Sequence, residues 1–217
     1  MKIVFFSLAM SAACCSVAQN QSRLYEVYFS KPDRMKPDEE HGGYSFDVGD
    51  SLKVYMSDDG YYKLMLKNGT VVEEGDTDEG DNSFARHGNW SSYYRNGKLK
   101  ENGNYYLDKP YGHWSFYDES GQPASEMEIV PIVAEDGNTA YCKAGREVLY
   151  FPNGKIKEER YHKAEPYDAQ ERVKVEDPET GKEVWKTVKV KAYKPKPFGT
   201  WVVYAADGTV EKREDKK

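Results

Sequence analysis

Cysteine is scarce in this chain, and two of its three cysteines lie within residues 1–18. That segment has a lysine at position 2, an apolar run over Ile3–Met10 and small residues up to Ala18, the layout of a secretory signal peptide. The apolar run is too short for a lasting transmembrane helix, which needs about 20 residues. Cleavage after Ala18 would leave Cys142 as the one remaining thiol, so no intramolecular disulfide could stabilise the mature chain.

We therefore expect an exported protein, located in the periplasm, at the outer membrane or outside the cell. Lipid attachment at Cys14 is the alternative, because Ser11-Ala-Ala-Cys14 is similar to a bacterial lipoprotein box, although Ser11 stands where Leu is usual. The full chain has a formal net charge of −6, and loss of Lys2 makes the mature chain more acidic still. An acidic chain without clustered Lys and Arg argues against nucleic acid as a partner.

Helical periodicity and motifs of catalysis are also missing. Leu and Ala are sparse beside 18 tyrosines, and strands favour aromatic and β-branched residues, so the composition predicts an all-β fold. There is no Gly-x-Ser-x-Gly elbow and no phosphate loop, and the four histidines lack the spacing of a zinc site. The acidic segment 76–82 departs from a calcium loop in its glycine and its distal glutamate. We expect no enzyme, no metal and no cofactor.

The sequence does contain an internal repeat, in which two glycines stand nine positions apart. Its five copies are Gly60–Gly69, Gly88–Gly97, Gly112–Gly121, Gly145–Gly154 and Gly199–Gly208. The third position is aromatic in four copies, as Tyr62, Trp90, Trp114 and Trp201, and the sixth is tyrosine in four, as Tyr93, Tyr117, Tyr150 and Tyr204. Asn, Ser or Asp precedes the closing glycine, and strand-like residues follow it, so each copy predicts a β-hairpin.

The turn residues also predict a register. A two-residue type I′ turn at Asn-Gly or Asp-Gly would place Leu66 opposite Val71, Tyr94 opposite Leu99, Phe151 opposite Ile156, and Ala205 opposite Val210. These aliphatic pairs would share a buried face with Trp90, Trp114 and Trp201. The sixth-position tyrosines would then form a column on the opposite, wetter face, paired with Lys100, Lys157 and Glu211.

The pattern Gly-x-Trp-x-x-Tyr-x-x-Asn-Gly followed by Lys-Leu-Lys resembles the MORN-repeat variant family of bacteria, some of whose members are labelled YwqK-type antitoxins. The copies at Gly88 and Gly112 match best. The resemblance implies an elongated antiparallel sheet of successive β-hairpins and a role in interaction. The structural residues of the repeat would be Gly88, Trp90, Gly97, Gly112, Trp114, Gly121, Gly154, Gly199, Trp201 and Gly208.

The expected organisation has four parts, of which the first, the signal peptide at residues 1–18, is removed by cleavage. Residues 19–59 form an N-terminal β cap, with strands at Leu24–Phe29 and within 51–56. Residues 60–211 form the five-hairpin domain, with inserted hairpins at about 122–144 and 162–198, and residues 212–217 form a disordered tail. The insertions serve either as binding elements or as protection for sheet edges.

Three functions compete. The first is a non-catalytic interaction or scaffold module that binds another protein through Tyr93, Tyr117, Tyr150 and Tyr204, since tyrosine is enriched at interfaces. The second is a carbohydrate-binding envelope protein, which requires exposed tryptophan rings. The third is an antitoxin- or immunity-like protein that acts outside the cytoplasm. Exposed terminal hairpins also leave room for self-association.

Overall fold

Antiparallel strands make up almost all of the structure. The computed structural model describes residues 36–39, 42–78, 85–133, 137, 139–177 and 180–217. The described residues form fourteen strands, β1 to β14: Lys36–Pro37, Tyr44–Val48, Leu52–Met56, Tyr61–Leu66, Val71–Asp78, Ala85–Tyr93, Leu99–Tyr106, Lys109–Tyr117, Pro123–Val133, Thr139–Tyr150, Ile156–Glu176, Glu183–Pro197, Gly199–Tyr204 and Val210–Lys216. Within these ranges, the structure holds no helix of the length and apolarity that a membrane crossing needs.

The strands follow one another in the sheet in chain order. Each strand from β2 to β11 pairs with its predecessor, β13 pairs with β11, and β14 pairs with β13. Strand β12 pairs with β11 off this path. The five repeat copies form the hairpins β4–β5, β6–β7, β8–β9, β10–β11 and β13–β14, which we number hairpins 1 to 5. The predicted all-β fold of successive antiparallel hairpins is therefore confirmed.

The described chain divides into two compact units. The larger contains residues 36–165 and 193–217, and with them the five repeat turns. The smaller contains residues 166–177 and 180–192, where the far ends of β11 and β12 lie. In this unit Val173 is buried while Trp185 is 55% exposed. The side chains of Arg172 and Lys174 lie 5.4 Å and 5.9 Å from the centre of the Trp185 ring.

The repeat turns differ from the predicted type I′ turns. In hairpin 2 the Gly97 N–H donates to Tyr94 O at 2.8 Å and the Tyr94 N–H donates to Lys98 O at 2.8 Å, which closes a three-residue loop. Only the closing glycine has a positive φ, 80° at Gly97. The Asn96 carboxamide accepts a hydrogen bond from the Lys98 N–H at 3.0 Å. The asparagine thus caps the backbone two residues on, and does not itself adopt the left-handed conformation.

This turn moves the register by one residue and corrects the predicted pairs. The observed partners are Met65 with Val71, Tyr93 with Leu99, Tyr150 with Ile156, and Tyr204 with Val210. The predicted tyrosine partners Lys100, Lys157 and Glu211 are instead the extra residues of a bulge in the returning strand. A bulge after a glycine turn accommodates the additional loop residue.

A turn with two left-handed residues does occur elsewhere, between β7 and β8. Leu107 and Asp108 have φ values of 48° and 63°. The backbone N–H and Nε of Arg86 donate to the Asp108 carboxylate at 3.2 Å and 2.9 Å, which ties the turn to β6. Neither residue is a glycine, so the turn signal that identified the repeats does not identify this one.

Tryptophan rings join neighbouring hairpins on one face of the sheet. Trp90 and Trp114 are each 5% exposed, as predicted for the buried face, whereas Trp201 is only half-buried. Their cross-strand neighbours are small or aromatic, and together they form the tryptophan row: Tyr62, Gly75, Trp90, Gly103, Trp114 and Met127. Tyr62 stacks on Trp90 at 5.4 Å between ring centres.

The two glycines in this row provide the space that the indoles occupy. A Cβ atom at Gly75 would lie 2.5 Å from Cγ of Trp90, and one at Gly103 would overlap the Trp114 ring. The Trp90 indole also donates from Nε1 to Asp76 O at 2.6 Å. Each tryptophan therefore lies on the backbone of the preceding hairpin, and burial of one such ring contributes about 1.5–3 kcal/mol.

The chain ends differ from the predicted organisation in one place. The expected tail at 212–217 forms most of β14, which pairs with β13 from Gly199–Lys216 to Tyr204–Val210. Within this strand Lys212 and Lys216 both form ion pairs with Glu214. The predicted strand at residues 51–56 is β3, while the signal peptide, Cys14 and Leu24–Phe29 lie outside the described residues.

The tryptophan row predicts that Gly103→Ala destabilises the chain by about 2–3 kcal/mol, because the new methyl group must displace a packed indole. Gly97→Ala is the matched control. Its φ is 80°, whereas Gly103 has no positive φ, and a Cβ atom at Gly97 meets nothing within 4 Å. Gly97→Ala should lower the free energy of unfolding by only about 1 kcal/mol, because alanine is strained in the left-handed conformation. Urea unfolding followed by circular dichroism measures both, and equal losses would contradict the packing explanation.

Candidate interaction surface

The four sixth-position tyrosines lie on the sheet face opposite the tryptophan row, and all are half-buried. Two of them hydrogen-bond to a carboxylate of the preceding hairpin, and a third lies beside one. The Tyr93 hydroxyl donates to Glu74 at 2.6 Å, and the Tyr204 hydroxyl donates to Glu159 at 2.7 Å. Tyr150 lies beside Glu126: burial and then the charge of that carboxylate raise the pKa of the tyrosine. We call these three pairs the tyrosine–glutamate ladder.

Hydrogen bonds and neighbouring cations keep the Glu74 and Glu159 carboxylates of the ladder ionised. The Arg146 guanidinium and then the Tyr204 hydroxyl hold the pKa of Glu159 below its usual value. At Glu74, burial acts to raise the pKa, but hydrogen bonds from Tyr93, Tyr61 and Lys63 outweigh it and the pKa is lowered. The surface therefore presents aromatic rings beside fixed negative charges.

This face is less wet than the sequence predicted. Val148 and Val202 lie on it, opposite Glu159, and are only 2% and 6% exposed. A small valine between tall tyrosine and glutamate side chains is covered by them. The tyrosine face consequently has an apolar floor of its own in hairpins 4 and 5.

The Asn-Gly-Lys turns link successive hairpins at one rim of the sheet, a contact that the sequence analysis missed. In hairpin 4 the Asn153 carboxamide donates to Ala206 O at 3.1 Å, and Lys155 Nζ donates to Asp207 O at 2.7 Å. The equivalent Asn96 donates to Glu119 O at 2.8 Å, and Lys98 donates to Ser120 O. The sequence feature that could have predicted this contact is the lysine after Asn-Gly, which only the copies with Lys98 and Lys155 have.

Burial of the repeat tryptophans bears on the carbohydrate hypothesis. That hypothesis required exposed indoles at Trp90, Trp114 or Trp201, and the first two are buried beneath neighbouring side chains. Trp201 is half-buried, with its Nε1 donating to Tyr161 O at 3.1 Å. The repeats therefore offer no row of tryptophan platforms for sugar rings.

A polar cluster stands where hairpin 4 lacks its tryptophan. Glu147 takes the tryptophan position and forms an ion pair with Lys143 at 2.9 Å. The second oxygen of Glu147 lies 3.8 Å from both Arg160 and the buried His162. Burial, followed by the charge of Lys143, lowers the pKa of His162. Arg160 lowers it further, and Glu147 raises it by a smaller amount than these together.

A serine, a histidine and an acid also meet on the tyrosine face. Ser115 Oγ lies 3.3 Å from His113 Nε2, and His113 Nδ1 lies 2.9 Å from Glu128. The order matches a nucleophile, a base and an orienting acid. However, the His113 and Glu128 side chains are 54% and 41% exposed. Nucleophilic catalysis needs donors for the oxyanion in a site that excludes water, and such exposure argues against one here.

The described ranges contain no group of three His, Cys, Asp or Glu side chains that could hold a metal ion. Cys142 is buried, and burial raises the pKa of its thiol, so the thiolate form needed for reactivity is disfavoured.

Loss of one ladder hydroxyl tests what the ladder contributes. Tyr204→Phe should cost about 1 kcal/mol near neutral pH, because Glu159 loses a donor. A lowered carboxylate pKa stabilises the fold above the unfolded value and loses that effect as the pH falls through the folded value. The difference from wild type should therefore shrink in acid, as followed by urea unfolding across the pH range.

The control for this variant is Tyr117→Phe, since the Tyr117 hydroxyl has no hydrogen-bond partner among the described residues. Carbon-13 NMR of the Glu159 carboxyl should show its pKa rising in Tyr204→Phe and unchanged in Tyr117→Phe. An unmoved Glu159 pKa in Tyr204→Phe would mean that the hydrogen bond does not form in solution.

His162 predicts a second pH dependence. Because its folded pKa is lowered, the unfolded chain binds the proton more readily, so the free energy of unfolding should fall as the pH drops below about 6.5. His162→Gln should remove this part of the loss, and the matched variant His113→Gln at an exposed site should retain it. Urea unfolding on both sides of that pH makes the comparison; the same loss in His162→Gln would assign it elsewhere.

Comparison with known protein families gives one match. Residues 86–105, 110–130 and 143–164 each match the model described as MORN repeat variant. These segments coincide with hairpins 2, 3 and 4, while hairpins 1 and 5 share the geometry but lie outside them. No curated protein matches the chain. On these segments and their hairpin geometry, the chain carries repeats of the MORN repeat variant family, which suggests a repeat-based binding or scaffold module.

Proposed function

We propose that this chain is a non-catalytic protein-interaction or scaffold module that acts after export, and that it binds another protein through its tyrosine face. The observation that carries the proposal is the tyrosine–glutamate ladder. It repeats one chemical unit on hairpins 2, 4 and 5, so that a partner can be met at several equivalent points.

The ladder is suited to recognition because its rings are already fixed. A hydrogen bond from Tyr93 to Glu74 holds the ring before any partner arrives. Less side-chain freedom is then lost on binding, which favours affinity. Tyrosine also supplies apolar area and a polar group together, the property that enriches it at interfaces.

The charges of the face favour a basic partner segment. Glu74, Glu126 and Glu159 lie beside tyrosine rings, and the chain as a whole has a formal net charge of −6. An arginine of the partner could pair with a carboxylate and stack on the neighbouring ring at once. Because the face is open and its Ser–His–Glu contact is exposed, contact with a protein suits it better than enclosure of a small substrate.

A capture experiment tests the proposal. The chain from residue 19 onward, immobilised, is exposed to envelope and culture fractions, and bound proteins are identified by mass spectrometry. We expect one stoichiometric partner, lost when Tyr93, Tyr117 and Tyr150 are changed to serine and eluted by raised salt. Retention of glycan with no enriched protein would overturn the proposal.

Two controls make the result specific. Circular dichroism and urea unfolding must show that the triple variant still folds. Trp185→Ala changes an exposed aromatic residue in the smaller unit and should leave capture intact. Loss with Trp185→Ala alone would move the contact from the tyrosine face to the inserted hairpin.

Export is the second part of the proposal, and it is supported by the signal-peptide pattern of residues 1–18. The N-terminal residue of the protein isolated from envelope or culture fractions distinguishes the routes. A first residue of Gln19 would support cleavage after Ala18. A lipid-modified Cys14 would support anchoring, and an intact Met1 in the cytoplasm would contradict export.

A further inference from the structure

Asn-Gly pairs are the sequence most prone to spontaneous deamidation, since glycine leaves its own backbone nitrogen unhindered. Four such pairs lie in the described residues, at Asn68, Asn96, Asn102 and Asn153. The fold treats them differently, and the difference lies in what holds each carboxamide group.

The backbone setting is the same in the three turn pairs. Asn68, Asn96 and Asn153 each accept a hydrogen bond at Oδ1 from the N–H two residues on, at 3.0 Å in all three. The glycine N–H that follows donates back across each turn, at 2.9, 2.8 and 2.9 Å. All three asparagines are exposed. Neither the turn geometry nor solvent access therefore separates them.

The three asparagines differ in the hydrogen bonds that their Nδ2 groups donate. The Nδ2 groups of Asn96 and Asn153 donate to Glu119 O and Ala206 O in the next hairpin, at 2.8 and 3.1 Å. In the same turns, lysine side chains reach across to the adjacent carbonyls. Asn68 is followed by Gly69 and Thr70, not by a lysine, and its Nδ2 donates to no described residue.

The fourth pair is held most firmly. Asn102 lies within β7 and donates from Nδ2 to Asn89 and Ser91, each at 2.9 Å, and to Trp90 O at 3.1 Å. Its partner Gly103 lies beneath the Trp114 ring. The side chain there cannot rotate without breaking these hydrogen bonds, and the backbone at Gly103 cannot move without disturbing the Trp114 ring.

We propose that Asn68 is the deamidation site of this chain, and that the contacts between turns protect Asn96 and Asn153. In the reaction the Gly69 nitrogen attacks Cγ of Asn68 and forms a new C–N bond. The Cγ–Nδ2 bond breaks, and the former amide proton of Gly69 leaves with the Nδ2 group as ammonia. Water then opens the resulting succinimide at either carbonyl to give isoaspartate or aspartate.

The rate should follow the number of hydrogen bonds that must break first. The carboxamide of Asn68 turns toward the Gly69 nitrogen after losing one bond, whereas Asn96 and Asn153 must lose two and separate from the neighbouring turn. One net hydrogen bond corresponds to a factor of about five to ten in the population of the reactive conformation. Either product adds a negative charge to the turn of hairpin 1, and isoaspartate also adds a methylene to its backbone.

The test uses the full chain, aged at neutral to mildly alkaline pH and physiological temperature and then digested for peptide mass spectrometry. We expect Asn68 to deamidate about five to ten times faster than Asn96 or Asn153. Isoelectric focusing should show an acidic form whose appearance is abolished by Asn68→Gln. Equal rates at the three turns in the folded chain would overturn the proposal.

Ageing in an unfolding concentration of urea provides the control. There the three turn peptides should react at comparable rates, because the contacts between turns are gone. If Asn68 remains fastest by the same factor in urea, local sequence and not the fold sets the order, and the proposal fails. Lys155→Ala, which removes half of the contact between turns 4 and 5, should raise the rate at Asn153 alone.

Discussion

Packing of a tryptophan ring on the backbone of a glycine one strand away holds successive hairpins together. The described strands form a single sheet, in which apolar side chains are buried by neighbours on the same face. Trp90 and Trp114 meet this need because Gly75 and Gly103 leave space that any other residue would fill. Tyr105 closes the arrangement edge-on between the two indoles, at 6.3 and 5.1 Å.

That arrangement changes in the second half of the sheet. At the positions of the tryptophan row, Glu147 and Arg160 replace the aromatic residue and the glycine, and Trp201 packs against the Arg160 guanidinium at 5.3 Å. Ion pairs and a cation–π contact there take the place of apolar burial. Protonation of His162 therefore affects the packing of this part of the sheet. Hairpins 4 and 5 also share the turn contact from Asn153 and Lys155, so the rim holds them together where the row is polar.

The repeat frame was sufficient to predict the hairpins, because glycine spacing and strand alternation are local signals. The register was not predictable from it. An Asn-Gly pair suits both a two-residue type I′ turn and a three-residue loop, and the choice here depends on Asn96 capping the Lys98 N–H. The ladder was hidden for a different reason: its carboxylates Glu74 and Glu159 belong to the preceding hairpin, and the repeat frame does not fix the register between one hairpin and the next. The role of Gly103 could not be predicted either, because it depends on Trp114 in the adjacent strand.

The ladder also constrains how the tyrosine face can be used. The hydroxyl groups of Tyr93 and Tyr204 already donate to carboxylates of the preceding hairpin, so the proposed protein contact would use the ring surfaces and the remaining hydrogen-bonding capacity of the carboxylates. Rings fixed at the spacing of a hairpin cannot close around a small molecule. They can meet an extended partner at successive points, and the weak contact of each point adds to that of the next. A surface built in this way gains affinity with the number of hairpins engaged, which gives a physical reason for repeating the unit.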